Sequence, residues 1–232
     1  MTGASAMTLA AKRPDLIGTY KINGASHFYE ARYDELERGS VSLARLLRTY
    51  NFAPGRIVLV VSLVQEVVQF APFEKAAQIL GLYGINAELS PFDAGRVESI
   101  SRQFDPVAIS GVGASTLEGL KSFGFDPAQV FAGRTVWARD DAYAAVKAMP
   151  GVDARRLVIL GPAVAYECAA GGIHYDTRDW SLVAVDGTLR LSSRMPRVET
   201  VDGLDTGVAG AVTEGFCTCG TREGCITVGA TA

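Results

Sequence analysis

From Arg56 onward, short apolar runs alternate with stretches of helical spacing, and this alternation restricts the possible folds more than any other feature of the sequence. "RIVLVVS" is continuous, β-branched and apolar, the mark of a strand covered on both faces. Gln65 to Leu80 follows, with Val68, Phe73, Ala76, Ala77 and Leu80 near helical spacing. "INAELS" predicts a second strand and "DAGRVESISRQF" a second helix, with Asp93 placed to cap it. "PVAISGV", "STLEGLKSFG", "TVWAR", "DDAYAAVKAM" and "RRLVILG" continue as strand, helix, strand, helix and strand, with Gly124 as a helix stop. Strands separated by such short helices define βαβ units, so the expected fold class is α/β, a parallel sheet with flanking helices.

The flanks read differently. "WSLVAVDGTLRLSS" is two alternating strands around Asp186-Gly187, a β-hairpin signal. Beyond Met195 the chain is rich in Gly, Thr and Asp and is expected to be irregular. Tyr33 to Tyr50 looks helical, whereas the segment up to Tyr20 has weak pattern. The expected organisation is an arm over 1–20, an α/β domain over 21–180, and a hairpin with a metal-binding tail over 181–232 of the same globule.

A chain of 232 residues can bury a core without covalent staples. Its formal charge of -3 gives no electrostatic reason to expect nucleic acid or an anionic membrane as partner. No window is long and apolar enough to span a bilayer, and Lys12 and Arg13 follow the short apolar N-terminal stretch, the reverse of a signal peptide. The expected location is cytoplasmic, where clustered cysteines are more often metal ligands than disulfides.

Three of the four cysteines lie within "FCTCGTREGC". Cys217 and Cys219, one residue apart and followed by Gly220, can point at one ion from a tight turn. Two thiolates do not complete a tetrahedral site. The remaining cysteine, Cys168, stands in "YECAAGGIHY", six residues before His174, one of only two histidines. Cys168, His174, Cys217 and Cys219 therefore make a closed Cys₃His set suited to a structural zinc, with Cys225 able to replace one member. The plainer reading makes Cys168 a small buried hydrophobe and His174 incidental.

"RIVLVVSLVQEVVQFAPFEKAAQILG", "NAELSPFDAGR", "GPAVAYEC" with its downstream "IH", and "CTCG" together resemble phenylacetate–coenzyme A ligases of the acyl-adenylate-forming (AMP-dependent synthetase) superfamily. The likeness runs from about Lys21 to the C-terminus and implies part of that family's large N-terminal domain. It also implies zinc ligation by Cys168, His174, Cys217 and Cys219, as in some family members.

The departures from the family pattern bear on activity. The resemblance implies a Ser/Thr/Gly-rich phosphate loop where this chain has "KINGASHFYEARY", carrying bulky His27, Phe28 and Tyr29. A phosphate cradle needs small residues so that backbone N–H groups can approach. Leu157 and Val158 stand where the family's motif has a hydroxyl and a magnesium-binding carboxylate, and Val208 stands where an Asp should meet the ribose. The family's mobile C-terminal domain does not follow Cys219 in this sequence. The chain is therefore not expected to make acyl-adenylates alone.

Two functions follow. One is an enzyme acting on a preactivated acyl thioester or carrier-bound acyl group by transfer, cyclisation or hydrolysis. His27 would be its acid or base, with Glu167 and Tyr166 at the site and Tyr29 and Asp93 as further polar groups. The other is a non-catalytic scaffold that binds a synthetase or carrier protein. "SLVQEVVQFAPFEKAA" is apolar enough to face both the sheet and a second subunit of a homodimer. The enzyme requires an enclosed pocket near His27 and Tyr166, whereas the scaffold would have that space filled.

Overall fold

The computed structural model of the chain describes residues 13–213 and 215–229. Strands β1 (Leu16–Ile22) and β2 (Ala25–Ala31) form an antiparallel hairpin around Asn23-Gly24, both residues with positive φ (50° and 80°). That pair of left-handed residues gives the turn whose twist matches the strands. Helix α1 (Tyr33–Arg48) follows, and then the alternation read from the sequence. Its members are β3 (Ile57–Ser62), α2 (Val67–Ile79), β4 (Tyr83–Glu88), α3 (Ala94–Phe104), β5 (Ala108–Val112), α4 (Ala114–Ser122), α5 (Pro127–Phe131), β6 (Thr135–Ala138), α6 (Asp140–Lys147) and β7 (Asp153–Leu160).

Strands β4, β3, β5, β6 and β7 lie side by side and parallel. The run in β3 explains why: Val58, Leu59, Val60 and Val61 are all wholly buried. Val58 and Val60 pack with Leu47, Phe70 and Phe73 on one face, and Leu59 and Val61 with Val97, Ile100 and Leu117 on the other. Asp93 sits at the N-terminus of α3, but its carboxylate accepts from the Glu88 N–H and makes no cap. Ser90 caps the preceding 3₁₀ turn instead.

At Gly161-Pro162 the chain reverses within two residues, and β8 (Ala163–Glu167) returns antiparallel along β7. Then come β9 (Ile173–Tyr175), β10 (Trp180–Val185), β11 (Thr188–Ser193), β12 (Leu204–Thr213) and β13 (Cys225–Val228). All join the parallel strands in one eleven-stranded sheet, ordered β10-β11-β12-β13-β9-β8-β7-β6-β5-β3-β4. The β10–β11 turn is Asp186-Gly187, again with two positive φ values.

Two expectations change here. Leu16 to Tyr20, within the expected arm, belong to β1; residues 1–12 of that arm lie outside the described residues. The stretch beyond Met195, expected to be irregular, contains β12 and β13. β12 has strand partners on both sides, and these backbone ladders hold "LDTGVAGAVT" extended despite its few large apolar side chains. No helix among the described residues is long and apolar enough to cross a membrane.

Buried charge ties α1 to the antiparallel half. Arg197 pairs through Nη1 with Glu35 (3.1 Å) and through Nη2 with Asp179, while its guanidinium lies 3.9 Å over the Trp180 ring. The Arg197 side chain is 5% exposed and both carboxylates 2%. Glu35 also accepts the Val198 N–H, and Arg38 reaches Asp179 from α1.

Candidate metal centre

The four residues that the sequence grouped come together from two places in the sheet. Cys168 follows β8 in a tight loop closed by the Cys168 N–H to Gly172 (2.8 Å), and His174 is the middle residue of β9. Cys217 and Cys219 stand on the β12–β13 connection, in a turn closed by the Gly220 N–H to the Cys217 carbonyl (3.1 Å). Gly220 takes φ +82°, a conformation that side chains resist. Thr221 donates its N–H to Cys219 Sγ at 3.4 Å.

The ligand atoms of Cys168, His174, Cys217 and Cys219 all lie within 4.8 Å of one another. Cys168 Sγ is 3.6 Å from Cys217 Sγ, and Cys219 Sγ is 3.4 Å from His174 Nε2. A tetrahedral zinc with Zn–S bonds of about 2.3 Å has S···S edges of about 3.8 Å, so this donor set fits such an ion with little movement. His174 Nδ1 is placed to donate to the Glu223 carbonyl (3.1 Å), which leaves Nε2 facing the thiols. The Glu223 carboxylate is held in turn by Arg45 (2.9 Å) and by the Thr177 hydroxyl (3.0 Å).

Burial pushes the Cys219 thiol up to about 12 and the Cys225 thiol up to about 11. At Cys217 burial acts the same way, but hydrogen bonds from the Cys219 N–H, the Cys219 thiol and His174 outweigh it and hold the thiol below its ordinary value. Packed thiols that resist ionisation are stabilised as thiolates by a divalent cation. Cys225, the alternative ligand, lies opposite His174 in the β9–β13 register, with Sγ 3.3 Å from Nδ1 and 3.7 Å from Nε2. It flanks the imidazole and lies outside the four-residue group.

Sequence reading missed Gly172, Glu223 and Arg45, whose roles arise only from tertiary contact. A Cβ on Gly172 would stand 2.7 Å from Cys217 Sγ and 3.1 Å from His174 Nε2. Gly172→Ala should therefore weaken metal binding by about 10–100-fold, the range seen when groups supporting a ligand shell are altered. A chelator-competition titration reads this directly, and unchanged affinity would contradict the proposed packing.

The candidate catalytic residues do not converge. Tyr166 is wholly buried in β8, stacked on Phe73 (5.2 Å between centroids), with its hydroxyl 3.0 Å from Ser110 Oγ. Burial raises its pKa. Glu167 binds the Arg156 N–H through its carboxylate (2.8 Å), and its carbonyl accepts from Tyr50 and Trp137. The reversal at Gly161-Pro162 turns β8 back along β7, with Tyr166 opposite Leu157, and the Tyr166 and Glu167 side chains are both engaged by neighbouring groups. His27 is exposed on β2, stacked on its cross-strand partner Tyr20 (5.3 Å between centroids). Tyr29 is buried and donates to the Glu199 carbonyl.

At the C-terminal end of β6 the side chains are paired with one another. Arg139 forks onto Glu66 (2.7 and 2.6 Å), donates to the Gly111 carbonyl and covers the Phe70 ring at 5.0 Å. Between α1 and β8 lies a cavity of about 50 Å³, bordered by Leu36, Leu43, Val68, Pro162 and Trp180. Small-molecule sites occupy about 300–1,000 Å³. His27, Tyr166 and Glu167 do not line this cavity.

The fold is that of part of an adenylate-forming acyl-CoA ligase. A 2-hydroxyisobutyryl-CoA ligase in the postadenylation state is similar over 96% of this chain and 52% of its own, with a TM-score of 0.70 and 12% identity. The same ligase in an open conformation with its acyl-adenylate and CoA gives 0.68 and 13%, over 92% of this chain and 55% of that one. A malonyl-CoA ligase with methylmalonyl-CoA and AMP bound gives 0.53 and 14%, over 94% and 53%. The chain thus spans about half the length of these structures, and at such identities the likeness concerns the fold alone. No protein-family model and no curated protein sequence matches the chain.

Proposed function

We propose that this chain is a phenylacetate–CoA ligase-like domain without acyl-adenylate chemistry, working as a zinc-stapled scaffold that holds a synthetase or carrier protein in the cytoplasm. The observation that carries this reading is the β1–β2 hairpin. Where the resemblance puts a phosphate loop, Asn23-Gly24 makes a tight turn and β2 carries His27 and Phe28 exposed and Tyr29 buried. Three thiolates and one imidazole suit zinc, which would supply folding energy to the centre.

Action on an acyl thioester is the other reading of such a domain. It needs a pocket at His27 or Tyr166, and the exposure of one and the burial of the other support the scaffold instead. Pyrophosphate exchange with ATP and a panel of aryl and aliphatic acids is the test. No acid should raise exchange above the acid-free blank. Robust acid-dependent exchange by the purified chain would overturn the proposal.

A further inference from the structure

Beside the metal centre, the C-terminal end of α1, the β9–β10 loop and the turn after Cys219 enclose an open basin of about 520 Å³. Four arginines line it: Arg45, Arg48, Arg178 and Arg222. The carboxylate on its wall, Glu223, is already engaged by Arg45 and Thr177. The guanidinium groups of Arg48, Arg178 and Arg222 make no ion pair or hydrogen bond with any described residue. A zinc held by three thiolates would carry a formal charge of about -1, which leaves the basin cationic in a chain whose net charge is -3.

A second observation points the same way. Thr221 lines the basin and is only 8% exposed, yet its hydroxyl has no hydrogen-bond partner. Buried hydroxyls are normally satisfied, so Thr221 marks polar capacity in the wall of the basin that no protein group uses. Guanidinium forks match phosphate oxygens in pairs, and three uncommitted forks around one basin call for several compact negative charges. The basin is far larger than a single phosphate group.

We propose that this basin binds a small ligand carrying two or more phosphate groups, held by Arg48, Arg178 and Arg222 against the turn that supplies Cys219. The test uses the metal-loaded full chain and inorganic pyrophosphate as probe, by calorimetric titration at low ionic strength, with citrate as a carboxylate comparison. Binding should saturate at one site, and R178A and R222A should each weaken it by about tenfold or more, since hydrogen bonds to charged groups contribute about 1.5–3 kcal/mol. Both residues are exposed, so the variants should melt like the parent. R96A and R102A, which make the same charge change on distant α3, should bind as the parent does. Absence of saturable binding, equal loss in the α3 variants, or tighter binding of citrate than of pyrophosphate would each overturn the proposal.

Discussion

Cys168→Ser is expected to destabilise the protein by about 3 kcal/mol or more, because metal binding at a closed structural site is folding free energy. The ligands join chain segments 49 residues apart, the β8–β9 loop and the turn before β13. β13 holds its place against β9 through only two register pairs, Cys225 with His174 and Ile226 with Ile173. Four pairs join it to β12. Loss of the centre should therefore loosen the β9–β13 seam first, and the melting temperature should fall together with amide protection in Cys225–Val228. Chelation of the parent protein should reproduce both effects. A Cys168→Ser protein that melts like the parent, with chelator changing neither, would remove the structural role.

Arg197→Ala should cost about 3–5 kcal/mol, the range for deleting one partner of a buried ion pair. The substitution strands Glu35 and Asp179, each 2% exposed, and Arg38 compensates at Asp179 alone. It also uncovers the Trp180 ring and loosens α1 from the antiparallel half. The exposed pair Arg102 and Glu98 supplies the contrast, and R102A should change stability by no more than about 0.5 kcal/mol. Urea denaturation of the two variants measures the difference. Equal, small effects would mean that the buried network contributes little.

The parallel half of the sheet was legible because burial on both faces writes itself into composition. Val58 to Val61 have no solvent-facing position at which a polar residue would be tolerated. The Asp186-Gly187 hairpin was legible from turn chemistry. Asn23-Gly24 carries the same signal, but its flanking strands lack the strict apolar alternation that marks the second hairpin. β12 was not legible, since partners on both flanks define it and its own side chains do not. β8 was not legible either, since only the two-residue reversal at Gly161-Pro162 and its pairing along β7 make "AVAYE" a separate strand.

The grouping of Cys168, His174, Cys217 and Cys219 could be read from residue types, since thiols and imidazoles are rare in this chain. Its surroundings could not. Gly172, Glu223 and Arg45 are ordinary residues whose place near the thiols depends on how β8, β9, β13 and α1 meet.

Metal content of the chain purified without added zinc is the most direct test that these four residues form one closed centre. About one zinc per chain is expected, falling to near zero in Cys217→Ser and remaining near one in Cys225→Ser. A folded, metal-free parent protein, or zinc retained by Cys217→Ser and lost from Cys225→Ser, would contradict the assignment.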